Sequence, residues 1–240
     1  MVMNKKKLYL LLGITLFTQA TTSLVGGLIG FGPFTDTSDT VTALNSVAEN
    51  INGIYIGIFL QIITSLVIIA LAAALYQAGK GVNKTAAIIA FGLYVTEAVI
   101  QIVSQLVVFA FAATGTQYAM SGDTALVAIG EILVKTRDFS GAITMMPFGL
   151  GAVLFYYLIM KAGVIPKWLG LWGIITVSFV FIGWTLQAFG APIPFALYVP
   201  YVPWEWVAGV YIFVKGLKGY PFGSVIQFSR CKFVVYLLTV

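Results

Sequence analysis

Residues 51–78 read INGIYIGIFLQIITSLVIIALAAALYQA and contain no charged side chain. As a helix this stretch would be about 42 Å long at 1.5 Å per residue, more than enough to cross about 30 Å of hydrocarbon. It lacks the alternation of apolar and polar residues that a membrane barrel strand needs. A helix satisfies its own backbone hydrogen bonds in lipid. The stretch therefore predicts a membrane-spanning helix.

Similar segments of roughly 20 or more residues recur on both sides of this one. Of the 240 residues, 60% are hydrophobic and only 9% are charged, whereas soluble domains carry about 25% charged residues. We therefore expect an all-α integral membrane bundle, with residues 1–219 forming a single six-helix domain. The six predicted spans are about Leu8–Phe31, Ile51–Ala78, Thr85–Ala113, Phe139–Met160, Trp168–Phe189 and Pro194–Val214.

The ends and the longest connection carry secondary interpretations. The first span resembles a signal peptide, but its apolar stretch continues through Leu24–Phe31, which favours an uncleaved helix. The third-to-fourth connection, Thr114–Asp138, is predicted to contain a short interfacial helix at Ala125–Val134. Residues 220–240 form a divergent tail in which Phe233–Val240 is too short to span, and we assign it no function.

The basic residues predict the orientation of the bundle. Eleven of the 13 lysines and arginines lie at the two ends or in the second-to-third and fourth-to-fifth connections. Only Lys135 and Arg137 fall on the other side. Because cytoplasmic loops carry the excess of Lys and Arg, both termini are expected in the cytoplasm. An even number of spans requires the same arrangement, and we expect a multi-pass protein of the cytoplasmic membrane.

The absence of histidine and the single cysteine, Cys231, exclude several kinds of site. Ser-His-Asp and Cys-His nucleophilic systems and His-ligated zinc or haem all need an imidazole. One cysteine makes neither an internal disulfide nor a thiolate cluster, and the scattered basic residues do not form a nucleic-acid-binding face. We expect no cofactor, no metal and no nucleic-acid partner. The lipid bilayer is the expected partner, and a small-molecule or ion ligand and a membrane protein partner stay open.

Two carboxylates interrupt the predicted spans, Glu97 in the third and Glu205 in the sixth. Counted from Lys84 and Lys215, they lie about 20 Å and about 15 Å from the cytoplasmic ends of their helices. An ionisable group at that depth costs at least about 2.5 kcal/mol and usually marks a pathway or a ligand site. No lysine or arginine shares this depth. Without a cation, two close carboxylates favour their neutral forms and can share one proton.

Three interpretations of the acids stay open. They hydrogen-bond as neutral groups and hold helices together, they relay protons or bind a coupling cation, or they bind the cationic group of a substrate. The side chains available to hydrogen-bond them are a tyrosine, Gln61, Gln101 and Gln187. Gln101 and Gln105 follow Glu97 at four-residue intervals, so the three form a polar stripe on one helical face. Such a stripe packs inward or lines a wet cavity.

The sixth span contains Pro200 and Pro203 just before Glu205. A helix beginning at Pro203 would have about 12 residues, too few to cross, so both prolines are expected inside the span as breaks. Broken helices at mid-depth form the sites of many transporters, and the alternative is a packed kink with Trp204 and Trp206 as anchors. Together these residues form a candidate intramembrane polar site of Glu97, Gln101, Glu205, Pro200 and Pro203.

Several phrases of the sequence resemble, in order and spacing, a prokaryotic multi-pass membrane family catalogued as domain of unknown function (DUF) 4386. The resemblance covers roughly Leu8–Gly219 and implies a six-helix membrane protein without an established biochemical activity. In that family an arginine often precedes the third-helix glutamate, whereas here Gly92-Leu-Tyr-Val-Thr precedes Glu97, so an internal ion pair is missing. The phrases are Ala74-Leu-Tyr-Gln…Val82-Asn-Lys, Thr96-Glu97-Ala, Val164-Ile-Pro-Lys-Trp-Leu-Gly-Leu-Trp-Gly173 and Pro203-Trp-Glu205…Gly209…Lys215-Gly216.

Three classes of function follow from these observations. The first is a small transporter-like or ligand-binding membrane protein whose site lies at Glu97 and Glu205. The second is a non-catalytic membrane subunit or sensor whose carboxylates only lock helices together. The third is an intramembrane enzyme acting on lipid, for which no catalytic motif can be named. We expect no catalysis and no catalytic residues.

Overall fold

The computed structural model of the chain describes residues 4–218 apart from 36–38, with only the backbone described for 31–35. Regular structure in these ranges is helical throughout, so the all-α prediction is confirmed there. The tail at 220–240 lies outside the described residues. The helices are α1 Lys5–Thr35, α2 Thr40–Glu49, α3 Ile51–Gly79, α4 Lys84–Ser121, α5 Ala125–Lys161, α6 Lys167–Ala188 and α7 Val202–Lys218, with a 3-10 turn at Phe195–Leu197 before α7.

Five of the helices, α1, α3, α4, α5 and α6, are long and apolar enough to cross a membrane. Many of their large apolar side chains are exposed, including Leu28, Phe59 and Leu106. In a soluble domain so much exposed apolar surface would drive association, whereas in a bilayer it contacts acyl chains. The chain is therefore a multi-pass membrane protein.

Local sequence explains where the spanning helices begin and end. The Asn83 side chain accepts a hydrogen bond from the backbone N–H of Ala86 at 3.0 Å and caps α4. Between α5 and α6, Gly163 has a φ of +69°, which glycine adopts without steric cost. Pro166 follows in extended conformation directly before α6. These short turns make α3 antiparallel to α4 and α5 antiparallel to α6.

Close helix packing depends on glycine. A Cβ added to Gly57 of α3 would lie 2.4 Å from the Cα of Gly30 in α1, so the two backbones touch. On the other side of α1, a Cβ on Gly13 would lie 2.6 Å from the Cβ of Phe213 in α7. Small residues allow this approach in membranes, where van der Waals packing drives helix association.

Helices α1 and α7 are antiparallel. Near the start of α1 the Tyr9 ring lies 5.6 Å from Nζ of Lys215, and further along α1 Thr21 contacts Trp206. The lysines at the start of α1 and at the end of α7 therefore lie at the same end of the bundle. Trp204 connects α7 to α6. Its side chain is fully buried, and its indole N–H donates to the carbonyl of Leu169 in α6 at 2.7 Å.

The predicted connection Thr114–Asp138, with a separate interfacial helix at Ala125–Val134, is wrong. Helix α4 continues to Ser121, only a short turn at Gly122 follows, and Ala125–Val134 is the first part of α5. The helices continue because α2, a helix that was not predicted, packs against both of them. Leu44 and Val47 of α2 are fully buried in an apolar cluster with Phe111 of α4. Gly130 of α5 lies against Leu44.

The predicted breaks at Pro200 and Pro203 inside a sixth span are also wrong. Residues 195–197 form a 3-10 turn, Pro200 lies in the turn that follows, and α7 begins only at Val202. Pro203 therefore occupies the first turn of α7, where a missing N–H breaks no helical hydrogen bond. Helix α7 has 17 residues, about 26 Å at 1.5 Å per residue.

Candidate functional site: a buried pair of carboxylates

Glu97 lies on the inner face of α4 and is only 4% exposed. Among the described residues its Oε2 atom has no hydrogen-bond partner, although the atom is shielded from solvent. Buried polar atoms are nearly always hydrogen-bonded, and leaving one unpaired costs about 1–3 kcal/mol. The unpaired carboxylate oxygen in the core singles out Glu97 as a candidate site residue.

Glu205 lies in the first turn of α7 and is well supplied with hydrogen bonds. Its Oε1 atom accepts from the Tyr201 hydroxyl at 2.7 Å and from the side-chain amide of Gln19 in α1. The free N–H groups at the beginning of a helix also favour a negative charge there. Glu205 is partly exposed, in contrast to Glu97. The two acids thus have different surroundings.

A row of tyrosine hydroxyls connects the surroundings of the two acids. The Tyr156 hydroxyl of α5 lies 2.8 Å from the Tyr201 hydroxyl. The Tyr94 hydroxyl of α4 is close enough to Tyr156 and to both carboxylates for their charges to act on it, but the described residues contain no hydrogen bond of normal length between Tyr94 and Tyr156. Glu97 and Glu205 in turn lie within electrostatic range of one another. The structure therefore brings the two predicted acids to one region, and α4, α5 and α7 all contribute to it.

Aromatic rings pack around this hydroxyl row. The Tyr156 and Trp204 rings are 4.0 Å apart between centroids, and the Tyr94 ring meets Phe155 edge to face at 5.0 Å. Phe148 contacts the Tyr201 ring at 5.7 Å. These side chains surround the hydroxyl groups with apolar surface, and electrostatic interactions are stronger in such low-dielectric surroundings.

The predicted site residue Gln101 belongs to a neighbouring amide network. Its Nε2 atom donates to Oε1 of Gln61 at 2.7 Å, and Gln61 donates to the carbonyl of Ser23 at 3.2 Å. Gln105 donates to the carbonyl of Gln101 at 3.1 Å. The Oε1 atom of Gln105 is the second buried side-chain acceptor without a partner in the described part of the chain. This network joins α1, α3 and α4, and Glu97 lies one helical turn from it.

The two predicted prolines do not line the acidic site. Pro200 and Pro203 are exposed. The carbonyl of Pro200 accepts from the indole N–H of Trp172 at 3.1 Å, which attaches the turn before α7 to α6. The turn that contains Pro200 leads directly into α7, whose first turn carries Glu205.

Four residues of the site were not singled out from the sequence: Gln19, Tyr94, Tyr156 and Tyr201. Two of them have a recognisable spacing. Tyr94 lies three residues before Glu97 on the same face of α4, and Tyr201 lies four residues before Glu205, in the turn directly ahead of α7. Gln19 is one polar residue in an apolar span. Tyr156 has no feature in the sequence that separates it from the adjacent Tyr157.

The side chains of this region have the chemistry needed to bind a proton or a cation. Within the described residues, no lysine or arginine is among the charged groups that act on either carboxylate. No group of three or more His, Cys, Asp or Glu side chains occurs in that part of the chain. Two carboxylates surrounded by hydroxyl and amide groups provide acceptors and exchangeable protons.

Comparison with known proteins gives one match. No curated protein and no solved structure matches the chain. A family model described as "Domain of unknown function (DUF4386)" matches residues 10–216, which include every residue of the acidic site. The expected resemblance is thereby confirmed, and the chain belongs to the DUF4386 family.

Proposed function

We propose that this protein is a small transporter-like or ligand-binding membrane protein, and that Glu97 with Glu205 forms the acidic site at which it accepts a proton or a cation. The observation that carries the proposal is the unpaired, buried Oε2 atom of Glu97, within electrostatic range of a second carboxylate. Buried acids of this kind inside membrane proteins serve ion pathways and proton relays. The proposal assigns no catalysis to the protein.

The proposal includes six crossings with both termini in the cytoplasm. Helix α7 is about 26 Å long, which is close to the thickness of about 30 Å that a spanning helix must cross. Support comes from the antiparallel contact of α1 and α7, which puts Lys5 and Lys218 at the same end of the bundle as the lysines of the α3–α4 and α5–α6 turns. The excess of positive charge favours the cytoplasmic side for that end. The membrane proposed is the cytoplasmic membrane.

A second function is favoured by the hydrogen bonds of Glu205. Its contacts with Gln19 and Tyr201 join α7 to α1 and, through Tyr156, to α5. A carboxylate with these partners can lock helices together without binding any ligand. In that case the protein is a non-catalytic subunit or sensor. Glu97 offers no such lock, because its Oε2 atom has no partner among the described residues.

The accessibility of single cysteines tests the proposed site. In a background in which Cys231 is replaced by Ser, we expect Gln101→Cys, one turn from Glu97, to react with a membrane-impermeant thiol reagent in inside-out and right-side-out vesicles. The matched control on the same helix is Val103→Cys, which is 56% exposed and faces lipid, and which we expect to stay unreacted. Equal protection at both positions would leave the polar side chains beside Glu97 without a water-filled cavity and would overturn the proposal of a ligand-accessible site.

A further inference from the structure

We propose that Tyr201, Tyr156 and Tyr94 form a relay that passes one proton between Glu205 and Glu97, and that movement of the Tyr94 and Glu97 side chains opens and closes it. This inference rests on the proposed function and names the proton as the species that the acidic site takes up. It is based on the order of the hydroxyl groups, on the hydrogen bonds of Glu205 and on the unpaired oxygen of Glu97.

The direction of the hydrogen bonds follows from counting protons. A tyrosine hydroxyl has one proton to donate. When Glu205 is ionised, the Tyr201 proton is used in the 2.7 Å bond to Oε1 of Glu205. The Tyr156 hydroxyl, 2.8 Å from Tyr201, must then be the donor in that pair. Its oxygen is left to accept from Tyr94, the next hydroxyl in the row. All three protons therefore point towards Glu205.

Both links of Tyr94, to Tyr156 and to Glu97, are open in the structure. With its own proton directed at Tyr156, the Tyr94 oxygen is an acceptor that can take a proton from a carboxylic acid. Glu97 lies one helical turn further along α4, within electrostatic range of Tyr94, and its Oε2 atom is unpaired. Movement of the Tyr94 hydroxyl towards Tyr156 and rotation of the Glu97 side chain towards Tyr94 close the relay, and the reverse movements open it.

The transfer conserves atoms and charge. The proton of the Glu97 carboxylic acid passes to the Tyr94 oxygen as the Tyr94 proton passes to Tyr156. The Tyr156 proton passes to Tyr201, and the Tyr201 proton passes to Glu205. Each tyrosine begins and ends neutral, Glu97 ends as a carboxylate and Glu205 ends as an acid. No oxidant, reductant or additional group is needed.

The surroundings favour this route over direct exchange with water. Tyr94 and Tyr156 are 2% and 1% exposed, and Glu97 is 4% exposed. Around the relay α1 contributes Gln19, α4 contributes Glu97, and α6 and α7 contribute the indole groups of Trp172 and Trp204. In the described part of the chain, no positively charged side chain contributes to the electrostatic surroundings of the two carboxylates. Glu205 is less buried than Glu97, and in this proposal it is the end of the row at which the proton enters.

Hydrogen–deuterium exchange of the Glu97 carboxylic acid tests the relay. The probe is D2O, mixed with the full-length protein in detergent micelles. Infrared spectroscopy follows the carboxylic C=O band that is lost in Glu97→Gln. We expect Tyr156→Phe to slow this exchange about tenfold or more, because loss of the Tyr156 hydroxyl removes one hydrogen-bonded step from the proton's route. The matched control is Tyr157→Phe, whose side chain is 46% exposed on the outer face of α5 and which we expect to leave the rate unchanged.

The direction of the change separates a relay from a purely structural role. Loss of packing around Tyr156 would speed exchange at Glu97, so an equal or faster rate in Tyr156→Phe overturns the relay. Tyr201→Phe provides a second test if Tyr156→Phe does not give a monodisperse protein, and the same slowing is expected. A Glu97 band that is absent at every pH also overturns the relay. The proposed function fails separately, when cysteine at position 101 is protected from the aqueous reagent.

Discussion

Replacing each acid by methionine should change stability in opposite directions. Methionine has nearly the length of glutamate but no polar oxygen, so the substitution removes hydrogen bonding while filling similar space. At position 97 it removes an acceptor that has no partner among the described residues. Relief of an unpaired buried acceptor is worth about 1–3 kcal/mol. We expect Glu97→Met to leave the free energy of unfolding unchanged or to raise it by up to about 3 kcal/mol.

At position 205 the same substitution removes two hydrogen bonds. The Gln19 amide and the Tyr201 hydroxyl both lose their carboxylate acceptor. Side-chain hydrogen bonds inside membrane proteins average about 0.6 kcal/mol and reach about 1.7 kcal/mol. Glu205→Met should therefore lower the free energy of unfolding by about 1–3 kcal/mol. A protein that keeps an unfavourable Glu97 is trading stability for a role at that position.

Unfolding by SDS in mixed micelles, followed by tryptophan fluorescence, measures both changes. The matched control is Glu131→Met, because Glu131 is an exposed carboxylate on α5 and its replacement should change stability by no more than about 0.5 kcal/mol. If Glu97→Met lowers stability as much as Glu205→Met, then Glu97 is a hydrogen-bonded lock. The reasoning from its unpaired oxygen would then be refuted, and the second proposed function would be preferred.

Three further outcomes are expected. Trp204→Phe should destabilise the protein by about 1–3 kcal/mol in the same assay, since a buried indole N–H bond to a helix carbonyl is lost, whereas Trp206→Phe, at a half-buried position, should cost less. Gly57→Ala should cost about 1–3 kcal/mol through overpacking, whereas Gly27→Ala, whose added Cβ meets nothing closer than 3.9 Å, should cost less than Gly57→Ala. Hydrogen bonds to the Asp39 carboxylate, of which the one from the backbone N–H of Val41 has the largest effect, hold its pKa below the ordinary value. The Asp39 carboxylate therefore caps α2 at neutral pH, and this cap is lost as the pH falls through the lowered pKa. A spin label on α2 should become more mobile in acid, and Asp39→Asn should abolish this pH dependence.

The spanning helices were predictable because long uncharged stretches have few alternatives in lipid. The prediction Ile51–Ala78 differs from α3 by one residue, and Trp168–Phe189 differs from α6 by one at each end. The regions outside the hydrocarbon were less predictable, because polar residues there are compatible with either a loop or a helix. The missed helix α2 did have a recognisable beginning at Asp39, whose side chain caps it, and apolar residues at Leu44 and Val47.

The candidate site was predictable only in its acids. Charge and depth single out Glu97 and Glu205, because carboxylates are costly in a membrane. Their partners were harder to find, because pairing depends on which faces of α1, α4, α5 and α7 meet. Nothing in the sequence distinguishes buried Tyr156 from exposed Tyr157. Pro203 was predicted as an internal break because the sixth segment was assumed to be one continuous span, whereas its helix begins at Val202.

The joined length of α4 and α5 has a practical consequence for imaging. Helix α4 has 38 residues, about 57 Å at 1.5 Å per residue, so it extends well beyond about 30 Å of hydrocarbon. Membrane proteins of 25.9 kDa are difficult to align in electron micrographs, because a micelle hides most of their mass. The helical hairpin braced by α2 offers a rigid place at Gly122 to insert a soluble fiducial domain. Such a fusion would make particle orientation measurable without altering the transmembrane interior.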